Sequence, residues 1–266
     1  INFSLQPFND FLRQCVSPYI HPLKWMVLRR PVITIIIPFN ILIRKVMMKL
    51  YGYFRSGTSH RTRIAMNLKQ FDYESISVNL AQDEQLESAF KTINPQGLVP
   101  VLEAAKSETE SLVMFQSPAI LEWLEEAYPQ HPLLPSDMTG RVRVRALSAM
   151  IGCDIHPINN RRILQYLRNE LNVDEPQVMA WCQRWISEGF TALESLLAQD
   201  KERGNFCYGN QPTLADCYLI PQVYSARRFK VDLTPYPNIV AIDKHCHTLP
   251  AFIEAAPENQ ADAPSS

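Results

Sequence analysis

The hydrophobic positions of residues 48–128 alternate between the two-residue period of strands and the longer period of helices. Short apolar runs predict four strands, and apolar residues three and four apart predict three helices. The predicted strands cover residues 49–54, 75–80, 99–102 and 112–115, and the predicted helices cover 59–68, 85–93 and 117–128. The order βαβ followed by αββα is typical of a small mixed sheet covered by helices.

Beyond residue 128 the strand pattern nearly disappears. Three prolines between residues 129 and 135 predict a linker, and five amphipathic stretches after it predict a second, all-helical domain. These stretches cover residues 140–155, 160–171, 175–197, 214–229 and 239–254. Thr213 and Asp216 have the spacing of a capping box, which predicts the start of a helix and nothing more. From Ala256 onward proline, alanine, serine and acidic residues dominate, and this composition predicts a disordered tail.

The first 47 residues differ in composition from the rest. They carry a net charge of about +5 against −6 for the remainder, and all eight glycines follow them. Their most apolar run, residues 31–43, contains a proline and an asparagine and is shorter than the ~20 residues that a membrane-spanning helix needs. We therefore predict an N-terminal extension of uncertain role over residues 1–47, no membrane partner, and a compact protein that begins near Met48.

The composition of the whole chain excludes several classes of function. A net charge of −1 gives no electrostatic footprint for nucleic acid. Six widely spaced cysteines without a C-x-x-C pair argue against a zinc ribbon or a disulfide scaffold and favour the reducing cytoplasm. Cys153 and His156 lie three residues apart, but no further ligands cluster with them, so we predict no metal site.

The loop after the first strand gathers groups that stabilise an anion. Ser56, Thr58 and Ser59 bring hydroxyls and free backbone N–H groups to the N-terminus of a helix, where a bound thiol would be acidified. The alternative is that these hydroxyls only cap the helix.

Two further positions add to this loop. Pro100 opens a strand without an N–H, so Val99 is free to pair with an extended peptide. Gln116 and Ser117 precede another helix, whose first N–H groups could hold a carboxylate.

With these motifs the chain resembles the zeta class of the glutathione transferase family, which contains maleylacetoacetate and maleylpyruvate isomerases. The motifs that carry the resemblance span residues 54–65, 94–100, 116–120 and 156–162. The resemblance implies an α/β thioredoxin-like N-terminal domain over residues 48–130 and an all-α C-terminal domain over residues 136–256, which together are the glutathione transferase architecture. Residues 257–266 remain as the disordered tail, and the resemblance also implies a homodimer with glutathione as cofactor.

The resemblance also implies roles for individual residues. Ser56 is the expected partner of the glutathione sulfur, Val99 pairs with the cysteinyl backbone beside a cis Pro100, and Gln116 and Ser117 hold the γ-glutamyl end. Further contacts are expected from Gly57, Thr58, Ser59, His60, Arg61, Gln85, His156 and Asn160. Gly57 and Thr58 stand where the family has the second serine and the cysteine of Ser-Ser-Cys, and a threonine hydroxyl can donate a hydrogen bond but cannot become a thiolate.

The expected activity is glutathione-dependent cis–trans isomerisation of a maleyl keto acid by reversible thiolate addition. The substrate is a dicarboxylate, and arginine suits it because the planar guanidinium binds carboxylates in pairs. Arg55, Arg162 and Arg228 are the candidates. Two alternatives are a general glutathione transferase that conjugates electrophiles and a non-catalytic binding protein that kept the fold. The residues do not decide between maleylacetoacetate and maleylpyruvate.

Overall fold

The computed structural model describes residues 48–107 and 110–264, so the predicted extension over residues 1–47 lies outside the described residues. Four strands form one mixed sheet in the order β2-β1-β3-β4, with β1 parallel to β2 and antiparallel to β3. The strands are β1 (Met48–Gly52), β2 (Tyr73–Ser77), β3 (Val101–Ala105) and β4 (Ser111–Phe115). All four predicted strands exist, but β3 begins two residues late because Pro100 has no N–H for the ladder.

Helices cover both faces of the sheet. The α-helices of this part are α1 (Gly57–Leu68), α2 (Ser88–Ile93) and α3 (Ser117–Ala127). Leu50 and Met48 of β1 pack with apolar residues of α1 and α3, and Phe90 of α2 packs with Val101 on the other face. The predicted helix over residues 85–93 is divided into a 3₁₀ turn at Glu84–Leu86 and the short α2. The α/β part of the predicted fold is confirmed.

The rest of the described chain is helical. Its α-helices are α4 (Met138–Ala149), α5 (Arg161–Asn169), α6 (Glu175–Gln199), α7 (Leu214–Arg228), α8 (Pro237–Cys246) and α9 (Pro250–Ala255). A π-helical segment, Met150–Ile155, continues α4, and a 3₁₀ turn, Pro157–Asn159, leads to α5. The predicted helix over residues 239–254 is two helices, because Pro250 disfavours the helical conformation of Leu249. No helix among residues 48–107 and 110–264 is long and apolar enough to span a membrane.

Helix α7 lies at the centre of the helical part and packs against α1 of the sheet part. Its capping box is present as predicted: the fully buried Asp216 carboxylate accepts hydrogen bonds from the N–H and the hydroxyl of Thr213. The same carboxylate accepts from the N–H of Cys207. A buried aspartate with three donors fixes both the start of α7 and the loop before it.

The linker after α3 is held by a buried ion pair. Lys69 Nζ lies 2.8 Å from Glu125 Oε2, and the two side chains are 0% and 6% exposed. The same ammonium donates to the carbonyl oxygens of Tyr128, Gln130 and His131. The Glu125 carboxylate accepts from the N–H groups of Leu133 and Leu134. The pair therefore fixes the proline-rich segment to the sheet part.

The tail differs from its prediction. A 3₁₀ turn covers Pro257–Asn259, and the Asp262 carboxylate accepts hydrogen bonds from the Phe54 N–H at 2.9 Å and the Ser77 hydroxyl at 3.1 Å. The prediction of disorder from Ala256 is wrong as far as residue 264, because composition does not reveal these long-range bonds. The chain end therefore holds the loop that begins the candidate site.

Candidate active site

Ser56 caps α1 and leaves its hydroxyl hydrogen free for another partner. Its backbone is extended, and its Oγ accepts a 3.3 Å hydrogen bond from the N–H of Ser59. Ser56 thus caps the helix, as the alternative predicted, but the cap uses only a lone pair of its hydroxyl oxygen. Because a hydroxyl also carries one donor, the same side chain can serve a ligand.

Thr58 links Ser56 to Val99. Its hydroxyl donates to the Val99 carbonyl oxygen at 3.0 Å, and its Oγ1 lies 3.0 Å from Ser56 Oγ. Thr58 has a single hydroxyl hydrogen, so Ser56 must be the donor in the bond between them. A thiolate is a stronger acceptor than a hydroxyl oxygen, so an arriving thiolate would draw this hydrogen bond away from Thr58.

Val99 precedes a cis peptide bond to Pro100, as the resemblance implied. Val99 lies two residues before β3, and the structure records no partner for its N–H among the described residues. An extended ligand can therefore pair with this N–H. Pro100 itself is buried and does not line the cleft described below.

Gln116 and Ser117 lie outside the lining of that cleft. Gln116 has φ = 69°, a conformation that is strained for a residue other than glycine and concentrates at ligand-binding positions. Its Nε2 donates at 2.6 Å to Oε1 of Gln96, which does line the cleft. The Ser117 hydroxyl is buried and accepts from Arg61 Nη1 at 3.0 Å. Their assignment to the γ-glutamyl end stays a prediction.

Ser59, His60 and Arg61 are buried and do not line the cleft. Successive residues of a helix turn by about 100°, so Ser59 and His60 turn away from the side that Gly57 and Thr58 present to the cleft. Arg61 lies one turn after Gly57 on the same side, but it is buried deeper in the protein. His60 faces the ring of Tyr224 at 6.3 Å, and burial and the charge of Arg63 lower its pKa well below the usual value. Arg61 lies over the ring of Tyr218 at 3.6 Å. These three side chains lie outside the lining of the cleft, and their contacts with the cofactor stay a prediction.

Gly57, Thr58 and Ser56 line a cleft of about 570 Å³ between the sheet part and helices α5–α7. His156 and Asn160 line its helical side, and Gln85 lines the sheet side. Gln85 is 6% exposed, and its Oε1 has no hydrogen-bond partner among the described residues. Such a buried, unpaired acceptor calls for a bound donor.

His156 cannot act as a charged group in this cleft near neutral pH. A Cβ added to Gly57 would lie 3.4 Å from its Cε1, so the imidazole packs against the start of α1. Burial, and secondly the charge of Arg61, lower the pKa of His156 to about 3. His156 is therefore neutral.

Among the described residues, five arginines and one acidic residue, Glu175, line the cleft. The arginines are Arg55, Arg161, Arg162, Arg168 and Arg228. Arg161 Nη1 is paired with Asp83 Oδ1, and Arg168 forms a bidentate pair with Glu175.

The other three cleft arginines have no carboxylate partner among the described residues. They are Arg55, Arg162 and Arg228, the three that the sequence indicated. Partial burial, and secondly the charge of Arg55, lower the pKa of Arg228. An anionic ligand would relieve this repulsion.

Sequence reasoning missed that Arg161 is paired within the protein. It also missed a neutral side chain that lines the cleft. A basic pair at the start of α5 opposes the helix dipole and indicated an anionic partner, and for Arg161 that partner is Asp83 of the protein itself. The neutral side chain is Gln222 of α7, which lines the cleft. Its only sequence signal is an amide next to Pro221 inside an apolar helix.

None of the described cysteines lines the cleft. Cys182, Cys207, Cys217 and Cys246 are buried, and burial raises the pKa of each thiol. The described part of the chain therefore offers no thiol nucleophile of its own at this cleft.

Comparisons with known proteins agree with this geometry. The family pattern described as glutathione S-transferase, N-terminal domain, matches residues 55–127, and that of the C-terminal domain matches residues 183–242. A maleylpyruvate isomerase from a Ralstonia species is 60% identical over 216 residues, which are 81% of this chain and 100% of that protein. A maleylacetoacetate isomerase from Pseudomonas aeruginosa is 44% identical over 221 residues, 82% of this chain and all of that protein.

Solved structures that resemble this chain include isomerases of the same two kinds. The holo structure of a bacterial zeta-class maleylpyruvate isomerase superposes with a TM-score of 0.77 at 59% identity, covering 81% of this chain and 100% of that chain. A maleylacetoacetate isomerase from Anaeromyxobacter dehalogenans, with glutathione bound in its active site, gives a TM-score of 0.75 at 40% identity. That match covers 83% of this chain and 99% of the other.

Proposed function

This chain belongs to the zeta class of the glutathione S-transferase family, and from that premise we propose that it isomerises a maleyl keto acid, with glutathione as cofactor. We propose maleylpyruvate as the substrate, because the relative that shares 60% identity is a maleylpyruvate isomerase. The observation that carries the proposal is one cleft holding a hydroxyl donor, a free peptide-pairing group and three arginines without carboxylate partners.

The cleft fits glutathione. The Val99 N–H can pair with the tripeptide backbone, the Gln85 Oε1 can accept from it, and the Ser56 hydroxyl can donate to its sulfur. When bound, glutathione supplies a thiolate that adds reversibly to the cis double bond, which becomes single and free to rotate.

The residues of this chain then have two tasks. Ser56 holds the sulfur in its charged form by donating its hydrogen, helped by the N-terminus of α1. Arg55, Arg162 and Arg228 hold the two carboxylates of the substrate. His156 packs beside the start of α1 as a neutral imidazole, because burial lowers its pKa to about 3.

The charge of the cleft favours a dicarboxylate over an apolar electrophile. Among the described lining residues there are five arginines and one glutamate, so the cleft is strongly positive. A hydrophobic electrophile would leave these charges without a ligand. General conjugation of electrophiles is thus the weaker alternative.

An ultraviolet assay of isomerisation tests the proposal. The purified protein is offered maleylpyruvate or maleylacetoacetate, each with and without glutathione. We expect conversion to the fumaryl isomer only with glutathione, and a higher kcat/KM for maleylpyruvate. Equal conversion without glutathione would contradict the mechanism, and a preference for maleylacetoacetate would contradict the choice of substrate.

We also propose that the protein is a cytoplasmic homodimer. Exposed apolar side chains favour an interface: Met138 is 86%, Val142 63% and Phe115 45% exposed. The five described cysteines are all free, which is typical of a reducing compartment. Sedimentation equilibrium should give about twice the chain mass of 30.5 kDa, and the mass of one chain would contradict the dimer.

A further inference from the structure

Gln222 is a buried polar side chain that no task described so far explains. It is 3% exposed, it lines the cleft, and the structure records no hydrogen-bond partner for its amide among the described residues. Its amide atoms are not sealed from the cleft, so the side chain can offer its N–H groups to a bound ligand. A ligand carbonyl that accepts from this amide would use a donor that the described protein groups leave free.

The position of Gln222 on α7 places it beside the sulfur-binding loop. Its neighbour Pro221 approaches the start of α1, since a Cβ added to Gly57 would lie 3.9 Å from Pro221 Cβ. Ser225 and Phe229 follow at the helical spacing of i+3 and i+7 and also line the cleft. One stripe of α7 therefore faces the cleft, and Gln222 lies at its end nearest to Gly57.

Arg228 flanks the same stripe. It follows Gln222 by six residues, or about 9 Å along the helix axis. One extended dicarboxylate can therefore contact both residues, with a carboxylate at Arg228 and its middle at Gln222. The group in the middle of a maleyl keto acid is the carbonyl conjugated to the double bond.

We propose that the Gln222 amide donates a hydrogen bond to the conjugated keto oxygen of the substrate, with Ser225 as its neighbour in the cleft. The inference rests on the proposed isomerase function and adds a catalytic residue to it. As the sulfur–carbon bond forms, the π pair of the alkene moves toward the carbonyl, and negative charge collects on the keto oxygen. The pair returns when that bond breaks, so no oxidant, reductant or net proton is needed.

A neutral donor suits this position. The carboxylates need charged partners, but a further cation at the position of Gln222 would also stabilise the starting thiolate. A donor aimed at the oxygen acts mainly when charge develops there, and removal of one such donor lowers kcat by about 100- to 1,000-fold in other enzymes.

Gln222→Met tests the proposal, because methionine has similar length and no donor. We expect kcat to fall about 100-fold while the Kd for glutathione is unchanged. The second readout is calorimetric binding of two inhibitors to the glutathione-loaded protein: a saturated seven-carbon keto dicarboxylate and the same dicarboxylate without the keto oxygen. The wild type should prefer the keto compound by about tenfold, which corresponds to ~1.4 kcal/mol, and Gln222→Met should lose the preference.

Gln199→Met is the matched control. Gln199 is an exposed glutamine of α6 outside the cleft, so this variant should keep both kcat and the preference between inhibitors. If Gln222→Met does not fold, Gln222→Asn retains the amide one methylene shorter and should show a reduced preference.

The outcomes separate this inference from the proposed function. A wild type that isomerises no maleyl keto acid contradicts the function itself. A wild type that isomerises, beside a Gln222→Met variant with unchanged kcat and preference, overturns only the role of Gln222. Weaker glutathione binding by the variant, or equal weakening of both inhibitors, would assign Gln222 to the cofactor or to packing and also overturn the proposal.

Discussion

Replacing Ser56 with alanine should lower kcat/KM for isomerisation by about 100- to 1,000-fold, because it removes the hydroxyl that donates to the thiolate. In the structure the Ser56 hydroxyl donates its one hydrogen to Thr58 Oγ1, and a thiolate can take the place of that acceptor. Loss of the hydroxyl should raise the pKa of the bound glutathione thiol by about one unit for each ~1.4 kcal/mol of lost stabilisation. The pH dependence of thiolate absorbance measures that pKa directly.

Ser56 also caps α1, so the loss of a cap must be separated from the loss of a donor. Alanine at an N-cap costs about 1 kcal/mol of stability, whereas glycine costs only a few tenths. Ser56→Gly should therefore be nearly as stable as the wild type and still lack activity. Ser148→Ala is the control for a buried serine elsewhere, since that hydroxyl donates to Val144 O within α4. An unchanged thiol pKa in Ser56→Gly would exclude the hydroxyl as the stabilising group.

Replacing Glu125 with alanine should lower the free energy of unfolding by about 3–5 kcal/mol, the typical cost of leaving one charge of a buried ion pair uncompensated. The Lys69 ammonium would keep only carbonyl oxygens as partners, and two linker N–H groups would lose their acceptor. Urea denaturation with an unchanged m-value measures this loss.

A double-mutant cycle isolates the pair itself. Lys69→Met combined with Glu125→Ala should cost less than the sum of the two single changes, because no charge remains buried. The exposed pair Lys106–Glu110 is the control, and Glu110→Ala should change the stability by less than about 1 kcal/mol. If Glu125→Ala also changed the free energy of unfolding by less than about 1 kcal/mol, the buried pair would not be what fixes the linker.

The sequence predicted most of the architecture because local signals determine it. The alternation of apolar residues located all four strands, and the capping-box spacing of Thr213 and Asp216 located the start of α7. The cis peptide before Pro100 followed from the resemblance. Local signals also marked Ser56 and Thr58 at the start of α1 and Val99 just before β3.

Long-range contacts account for what sequence reasoning missed. The bond between Asp262 and the Phe54 N–H joins residues 208 apart, and nothing near either residue predicts it. The pairing of Arg161 with Asp83 depends on how α5 packs across the cleft. The burial of His60 outside the cleft lining depends on how α1 packs against the helical part, which the sequence around it does not reveal. No pattern in the sequence marks Gln222 as a residue of the cleft.

The lack of a cysteine among the described lining residues has a consequence for how the enzyme ages. Reagents that attack thiols find none among the described lining residues, and the thiol that they meet belongs to a tripeptide that exchanges with the surrounding pool. The spent molecule diffuses out and a fresh one takes its place. Damage by thiol reagents at this cleft thus falls on a replaceable molecule rather than on the polypeptide.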